Sequence, residues 1–169
     1  TKKCVEYARS KNPDILIEAE IGFIGKSSKL LDAVPEGVGR LTSVEEAKSF
    51  VEATGVDMLA PAVGNVHGIV KGGEPALQTE RIAEIKNAVN MPLVLHGASG
   101  NSADDIRKAM KAGISIIHIN TELRVAFRSG LMKSLQENPD EIAPYKYLKG
   151  ARNAMQKVVE EKLKLFNNL

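Results

Sequence analysis

The chain has 169 residues, enough to bury a substantial core and a fitting size for one domain. A formal net charge of +2 with both signs interspersed excludes a dense basic surface for nucleic acid. No apolar run approaches the roughly 18 residues of a membrane span, and the single Cys4, which excludes an internal disulfide, suits a soluble protein of the reducing cytoplasm.

The opening segment, TKKCVEYARSKNPD, is charged and amphipathic rather than a signal peptide. Ile15-Leu16-Ile17 running into Glu18-Ala19-Glu20 predicts a strand that turns polar at its C-terminal end. Ser43 opens a helix, with Glu46 three residues on completing a capping box and Val44, Ala47, Phe50 and Val51 as its apolar stripe. Residues 56–63 form the next buried strand, and a loop with Gly64, Gly68, Gly72 and Gly73 follows it. Thr79 caps a helix with Ile82, Ile85 and Val89 on one face. Pro92 and Leu93-Val94-Leu95 start a third strand, which ends in HGASG. Ser102 and Asp105 open a helix closed by Gly113. Residues 114–119 are nearly all β-branched and too few for a helix, so they form a fourth buried strand. From about Thr121 the chain is helical, with breaks near Asn138-Pro139 and Ala143-Pro144 dividing two helices.

Strands buried on both faces and alternating with helices predict a parallel sheet, either doubly wound or barrel-like. A closed (β/α)8 barrel needs eight strands and about 250 residues. Four strands alone would leave two long apolar edges unpaired, so the chain reads as part of something larger.

Polar and glycine residues gather at the C-terminal ends of the strands: Glu20, then Asn65-Val66-His67-Gly68, then His96-Gly97-Ala98-Ser99-Gly100, then His118 with Asn120-Thr121. That rim is where parallel α/β folds bind ligands. All three histidines of the chain are on it. His67 and His96 each end a strand and precede a glycine, so neighbouring imidazoles can converge on one ion. Imidazole with a carboxylate, for which Glu20 is the candidate, suits zinc. A single such histidine is more often a hydrogen-bonded structural residue; two His-Gly pairs at equivalent positions favour the metal. The HGASG loop offers backbone N–H groups and a hydroxyl to an anion, although a glycine-rich turn by itself fits a tight bend equally well. Asn120-Thr121 can add to that site. Arg124, one helical turn on, either reaches a second phosphate or is an ordinary solvated charge.

In order and spacing, EAEIG, GNVHG, LVLHGASG and HINTELRVAF resemble the signature of the class II (zinc-dependent) fructose-bisphosphate aldolases, and PYKYLKGARNAMQKVVEEKLKLF resembles that family's final helices. The likeness covers essentially the whole chain. It implies a TIM (β/α)8 barrel of which residues 1–169 form a single segment supplying about the last four βα units and the C-terminal helices. The N-terminal half-barrel is then a missing partner. The resemblance also implies that His67 and His96 are two of three zinc-binding histidines and that Glu20 approaches or ligates the zinc. Val66, Gly68 and Gly97 would offer carbonyls to a monovalent cation, Na+ or K+. Gly68, Gly97, Ser99, Asn120 and Thr121 would bind dihydroxyacetone phosphate, and Arg124 the far phosphate of fructose bisphosphate.

Three departures from the family pattern stand out. The first zinc histidine and its adjacent aspartate, the proton-transferring base, have no counterpart in this chain, which alone is expected to be inactive. Ser27-Ser28 replaces an acidic pair in the loop after EAEIG, leaving Asp32 or Glu36 as substitutes for the protonation step. His118 stands where an asparagine usually contacts the enediolate, so Glu20 and His118 are auxiliary candidates in catalysis. The activity implied is cleavage of fructose 1,6-bisphosphate to dihydroxyacetone phosphate and glyceraldehyde 3-phosphate, and the reverse condensation, by a homodimer or homotetramer. Alternatives are a tagatose-bisphosphate aldolase, against which Asn120 leans, and a metal-free barrel half that serves only binding or assembly.

Overall fold

The structure, a computed structural model, describes residues 1–167. These divide into two compact units, Thr1–His118 and the described residues from Ile119 onward.

In the first unit, α1 (Lys2–Lys11) precedes β1 (Glu18–Ile21), β2 (Leu30–Leu31), α2 (Val44–Thr54), β3 (Met58–Pro61), β4 (Ile69–Val70), α3 (Thr79–Val89), β5 (Leu93–Leu95), α4 (Ala103–Ala112) and β6 (Ile114–Ile117). Strands β1, β3, β5 and β6 make one parallel sheet in that spatial order. The order never reverses, as it would in a doubly wound sheet, so each strand sits beside the next, as in a barrel wall. The architecture is α/β, a partial TIM barrel. The core lies between sheet and helices: Leu59, Val63, Leu93, Val94 and Leu95 of the strand segments meet Ala47 of α2, Ile82 and Ile85 of α3, and Ile106 and Ala109 of α4, all inaccessible to solvent.

Local chemistry sets the element ends. Ser43 accepts the Glu46 N–H while the Glu46 carboxylate accepts the Ser43 N–H, the capping box expected at the start of α2. Ser102 likewise accepts the Asp105 N–H ahead of α4. The start of α3 differs from expectation: Gln78 is its cap and Thr79 the first helical residue, with no side-chain cap bond. The first strand also begins later than the apolar run suggests, because Ile15 and Leu16 are 39% and 70% exposed. Asp57 explains the shift. Its carboxylate accepts the Ile17 N–H at 2.8 Å and is gripped by Arg9 of α1 at 2.8 and 2.9 Å, which anchors the chain just before β1. A second, two-stranded pairing between β2 and β4, not foreseen in the glycine loop, ties that loop to the segment after Gly25.

In the second unit, α5 (Thr121–Glu137) and α6 (Pro144–Phe166) form an antiparallel pair. Lys162 meets Glu122 at 2.8 Å at one end, and Gly130 lies against Gly150 and Ala151 further along. Small residues permit this close approach: a Cβ on Gly130 would lie 2.7 Å from the Gly150 carbonyl oxygen and 2.9 Å from both Ala151 Cα and Ala154 Cβ. A Gly130→Ala substitution is therefore expected to destabilise the protein by about 1–3 kcal/mol through overpacking, although alanine is the better helix former by roughly 0.5–1 kcal/mol. A lower urea midpoint would show that packing outweighs propensity, and a higher one would refute the close contact.

Candidate metal centre

Sheet register builds the site. Glu18 and Glu20 stand two residues apart on β1, so their side chains share one face. Glu20 pairs with Ala60 of β3, and Leu59 pairs with Leu93, which carries Ala60 level with Val94, two residues before His96. The carboxylates of β1 meet His96 across the intervening strand β3. Leu95 pairs with Ile117, so His96 and His118 leave adjacent strands side by side. Their rings stack with centroids 4.8 Å apart, and the backbone N–H of His118 donates to the Leu95 carbonyl at 3.0 Å.

His96 stands at the centre. Its Nδ1 lies 2.7 Å from Glu20 Oε2 and its Nε2 lies 2.8 Å from Glu18 Oε1. The His67 ring is 5.8 Å from that of His96, and His67 Nδ1 lies 3.1 Å from the Gly25 carbonyl oxygen. As donor to that carbonyl, Nδ1 leaves Nε2 available to an ion. Two groups of three side chains bring one donor atom each within 4.8 Å of the others: Glu20 with His67 and His96, and Glu18 with His96 and His118. The first is the set expected to hold zinc, and two imidazoles with a carboxylate fit that metal and leave room for a further ligand. Glu18 was not singled out by sequence reasoning. The alternation Glu18-Ala19-Glu20, which puts both carboxylates on one face, was the signal available.

Buried hydrogen bonds hold the loops around this centre. Asn65, 2% exposed, accepts the Val63 N–H at 2.8 Å and donates to the His96 carbonyl at 2.9 Å, joining the ends of β3 and β5. Thr42 donates to the Ile21 carbonyl and accepts the Ala62 N–H, joining β1 to β3. Gly97, at φ +63°, lies against the Val66 carbonyl, which a Cβ would overlap. Gly68, at φ +117°, rests instead on the carbonyls of Lys29 and Ser27. Of the three residues expected to offer carbonyls to a monovalent cation, Val66 and Gly97 are thus brought together. Ser99 is buried in a 3-10 turn over Ala98–Gly100.

The remaining candidates are placed as follows. Asn120 is the N-cap residue of α5, Thr121 its buried first residue and Arg124 an exposed residue one turn on, all in the second unit. Ser27 and Ser28 are half-buried between β1 and β2. Asp32 is paired with Lys71 at 2.6 Å, and that hydrogen bond and charge hold its carboxyl below the usual carboxylate range. Such a carboxylate is a poor proton donor near neutrality. Glu36 is exposed.

Glu74 is a further acidic residue against the HGASG loop. It accepts the Val70 N–H at 2.8 Å, its other oxygen is buried without a protein partner among the described residues, and it occupies the space a Gly100 side chain would need. Burial raises its pKa, partly offset by the Val70 hydrogen bond.

The family description "Fructose-bisphosphate aldolase class-II" matches residues 1–169. The chain belongs to the class II fructose-bisphosphate aldolase family. Among solved structures it is similar to the YdjI aldolase from Escherichia coli K12, with 34% identity, a TM-score of 0.71, and coverage of 98% of this chain and 52% of that one. It is also similar to a putative fructose-1,6-biphosphate aldolase from Coccidioides immitis, with 32% identity, a TM-score of 0.78, and coverage of 98% and 56%. A fructose-bisphosphate aldolase from Campylobacter jejuni, at 22% identity and a TM-score of 0.74, shares the fold, with coverage of 98% and 55%. The chain spans about half the length of each.

Two stability predictions follow from this geometry. Gly97→Ala must move the Val66 carbonyl and hold alanine in the left-handed region, so it should cost about 1–3 kcal/mol, read as a lower urea midpoint. Glu74, whose folded-state pKa lies above its unfolded value, contributes stability that is full below the unfolded pKa and is lost as pH rises through the folded one. Glu74→Gln should therefore raise the melting temperature at pH 7, with the gain vanishing below about pH 4. A loss at pH 7 would contradict the burial cost.

Proposed function

We propose that this chain supplies part of the active site of a zinc-dependent aldolase. That enzyme cleaves fructose 1,6-bisphosphate to dihydroxyacetone phosphate and glyceraldehyde 3-phosphate and condenses them again. The observation that carries the reading is the convergence of Glu20, His67 and His96, with donor atoms within 4.8 Å of one another. Zinc bound there supplies Lewis-acid polarisation of the ketose carbonyl and stabilises the negative charge that develops when the carbon–carbon bond breaks.

The chain's own residues do the rest. His67 is oriented by the Gly25 carbonyl, and His96 by carboxylates on both ring nitrogens. Backbone groups of Gly68 and Gly97 with the Ser99 hydroxyl are assigned to the phosphate of dihydroxyacetone phosphate, and the Val66, Gly68 and Gly97 carbonyls to Na+ or K+ beside it. The left-handed turn at Gly97, held against Val66, supports that assignment. Asn120, Thr121 and Arg124 at the N-terminal end of α5 are assigned to the substrate's hydroxyls and second phosphate. The N-terminal position suits anion binding. Fixing both phosphates converts binding energy into alignment of the scissile bond.

The base that moves the hydroxyl proton, and a third histidine, are proposed to come from the half of the barrel that the relatives possess beyond the matched region. This chain alone would then be inactive. His118, beside His96, is assigned to the pocket wall where the carbonyl end of the substrate lies. Exposed apolar residues of α5 and α6, among them Met132, Leu135 and Tyr145, with Ile142 in the connection between them, support homo-oligomeric assembly as a dimer or tetramer. No helix among the described residues is long and apolar enough to cross a membrane, and Cys4 is exposed and unpaired, which fits a reducing cytoplasm.

The test is metal analysis and aldol cleavage by the whole assembly containing this chain, with fructose and tagatose bisphosphates compared. One zinc per active site is expected, with cleavage lost on chelation and restored by zinc. His67→Ala and His96→Ala should each lower kcat/KM by at least about 10³-fold, in keeping with removal of a metal ligand. A metal-free assembly with no cleavage activity would leave a binding or assembly module instead.

A further inference from the structure

Both ring nitrogens of His96 face carboxylate oxygens, and a neutral imidazole has only one N–H to give. The second nitrogen meets its carboxylate favourably only with a positive charge at hand, either a second ring proton or a bound cation. Nδ1 points to Glu20, beside which His67 presents its own ring, so that side has the donors of an ion site. Nε2 points to Glu18, whose side chain is 23% exposed and whose other oxygen lies 3.7 Å from His118 Nε2.

Resting on the zinc reading above, the geometry points to Glu18 as a positioning residue. Its carboxylate accepts the Nε2–H of His96, fixes the tautomer that presents Nδ1 to the metal, and makes that nitrogen a stronger donor. Carboxylates placed behind a metal-bound imidazole act in this way, and their removal typically weakens metal affinity about 10–100-fold. The ladder enforces the arrangement. Glu18 is locked to Met58 in register and lies two residues before Glu20 on the same face, so one rigid strand sets one carboxylate on each side of the ring. His118, stacked on His96 and reaching the outer oxygen of Glu18, closes the far side of the pair. Glu18, His96 and His118 would themselves make a rival ion site. In that arrangement Glu18 would be a direct ligand, and its loss should abolish binding rather than weaken it.

The experiment measures zinc affinity by competition with a chromophoric chelator, and the visible absorption spectrum after cobalt substitution. It uses the whole assembly, wild type and with Glu18→Ala, Glu18→Gln or Glu20→Ala, with folding checked by circular dichroism. Glu18→Ala is expected to weaken zinc about 10–100-fold and to shift the cobalt bands. Glu18→Gln, which still accepts the N–H without the charge, should fall between Glu18→Ala and wild type, and it serves as the test should the alanine variant not fold. Glu20→Ala should lose more affinity than either. Wild-type affinity with unchanged cobalt bands in the Glu18 variants would overturn the assignment. So would a loss in them as complete as that of Glu20→Ala, which would make Glu18 a ligand. If the wild-type assembly binds no zinc, the functional reading itself fails.

Discussion

The arrangement on which the rest of the site depends is an imidazole held between two carboxylates. Glu20 and Glu18 take opposite nitrogens of His96 at 2.7 and 2.8 Å, in a pocket where the ring is only 17% exposed. Such a ring cannot satisfy both acceptors as a neutral group, so the site is built to gather positive charge. Everything nearby serves that geometry. Register with β3 sets the height of both carboxylates, and His118 stacks on the ring. Asn65 ties the His96 carbonyl to the loop that carries His67.

Precision comes from the parallel sheet. Backbone pairing fixes each strand's height relative to its neighbours, and the period of two fixes which face each side chain occupies. The strands lie in space in the order of the chain, so Glu20, His96 and His118 reach one rim from the strands or their ends, while His67, which the sequence suggests ends a strand, comes from the loop six residues past β3. The loops that follow are held by buried side chains, Thr42 and Asn65, rather than by length or flexibility. Mobile loops would not hold ligands at fixed separation, and metal binding is sensitive to such displacement.

The second unit has a different physical character. Its two helices meet through Gly130, Gly150, Ala151 and Ala154, and much of their remaining surface is apolar and exposed. With about half the length of its relatives, the chain shows four strands paired side by side whose two outermost members have no further neighbour among the described residues.

Much of this was legible in the residues. Alternating apolar runs and helical stripes set the α/β class. Ser43 with Glu46, Ser102 with Asp105, and Gly113 marked helix ends because capping is local chemistry. His67 and His96, each ahead of a glycine, marked the rim. Distant contacts override local pattern where Asp57 and Arg9, far apart in the chain, delay β1 past Ile15 and Leu16; at α3 the cap falls one residue earlier than Thr79, on Gln78. The short pairing of β2 with β4 was hidden because two-residue strands carry no periodicity. What the sequence by itself determined was the set of chemical groups and the elements that bear them, since both depend on neighbours within a few residues. Only the tertiary structure decided that Glu18 joins Glu20 on His96, that Asn65 braces the same residue, and that Lys71 occupies Asp32. Those pairings join residues some 30 to 80 positions apart, and sheet register and loop closure, not local pattern, choose them.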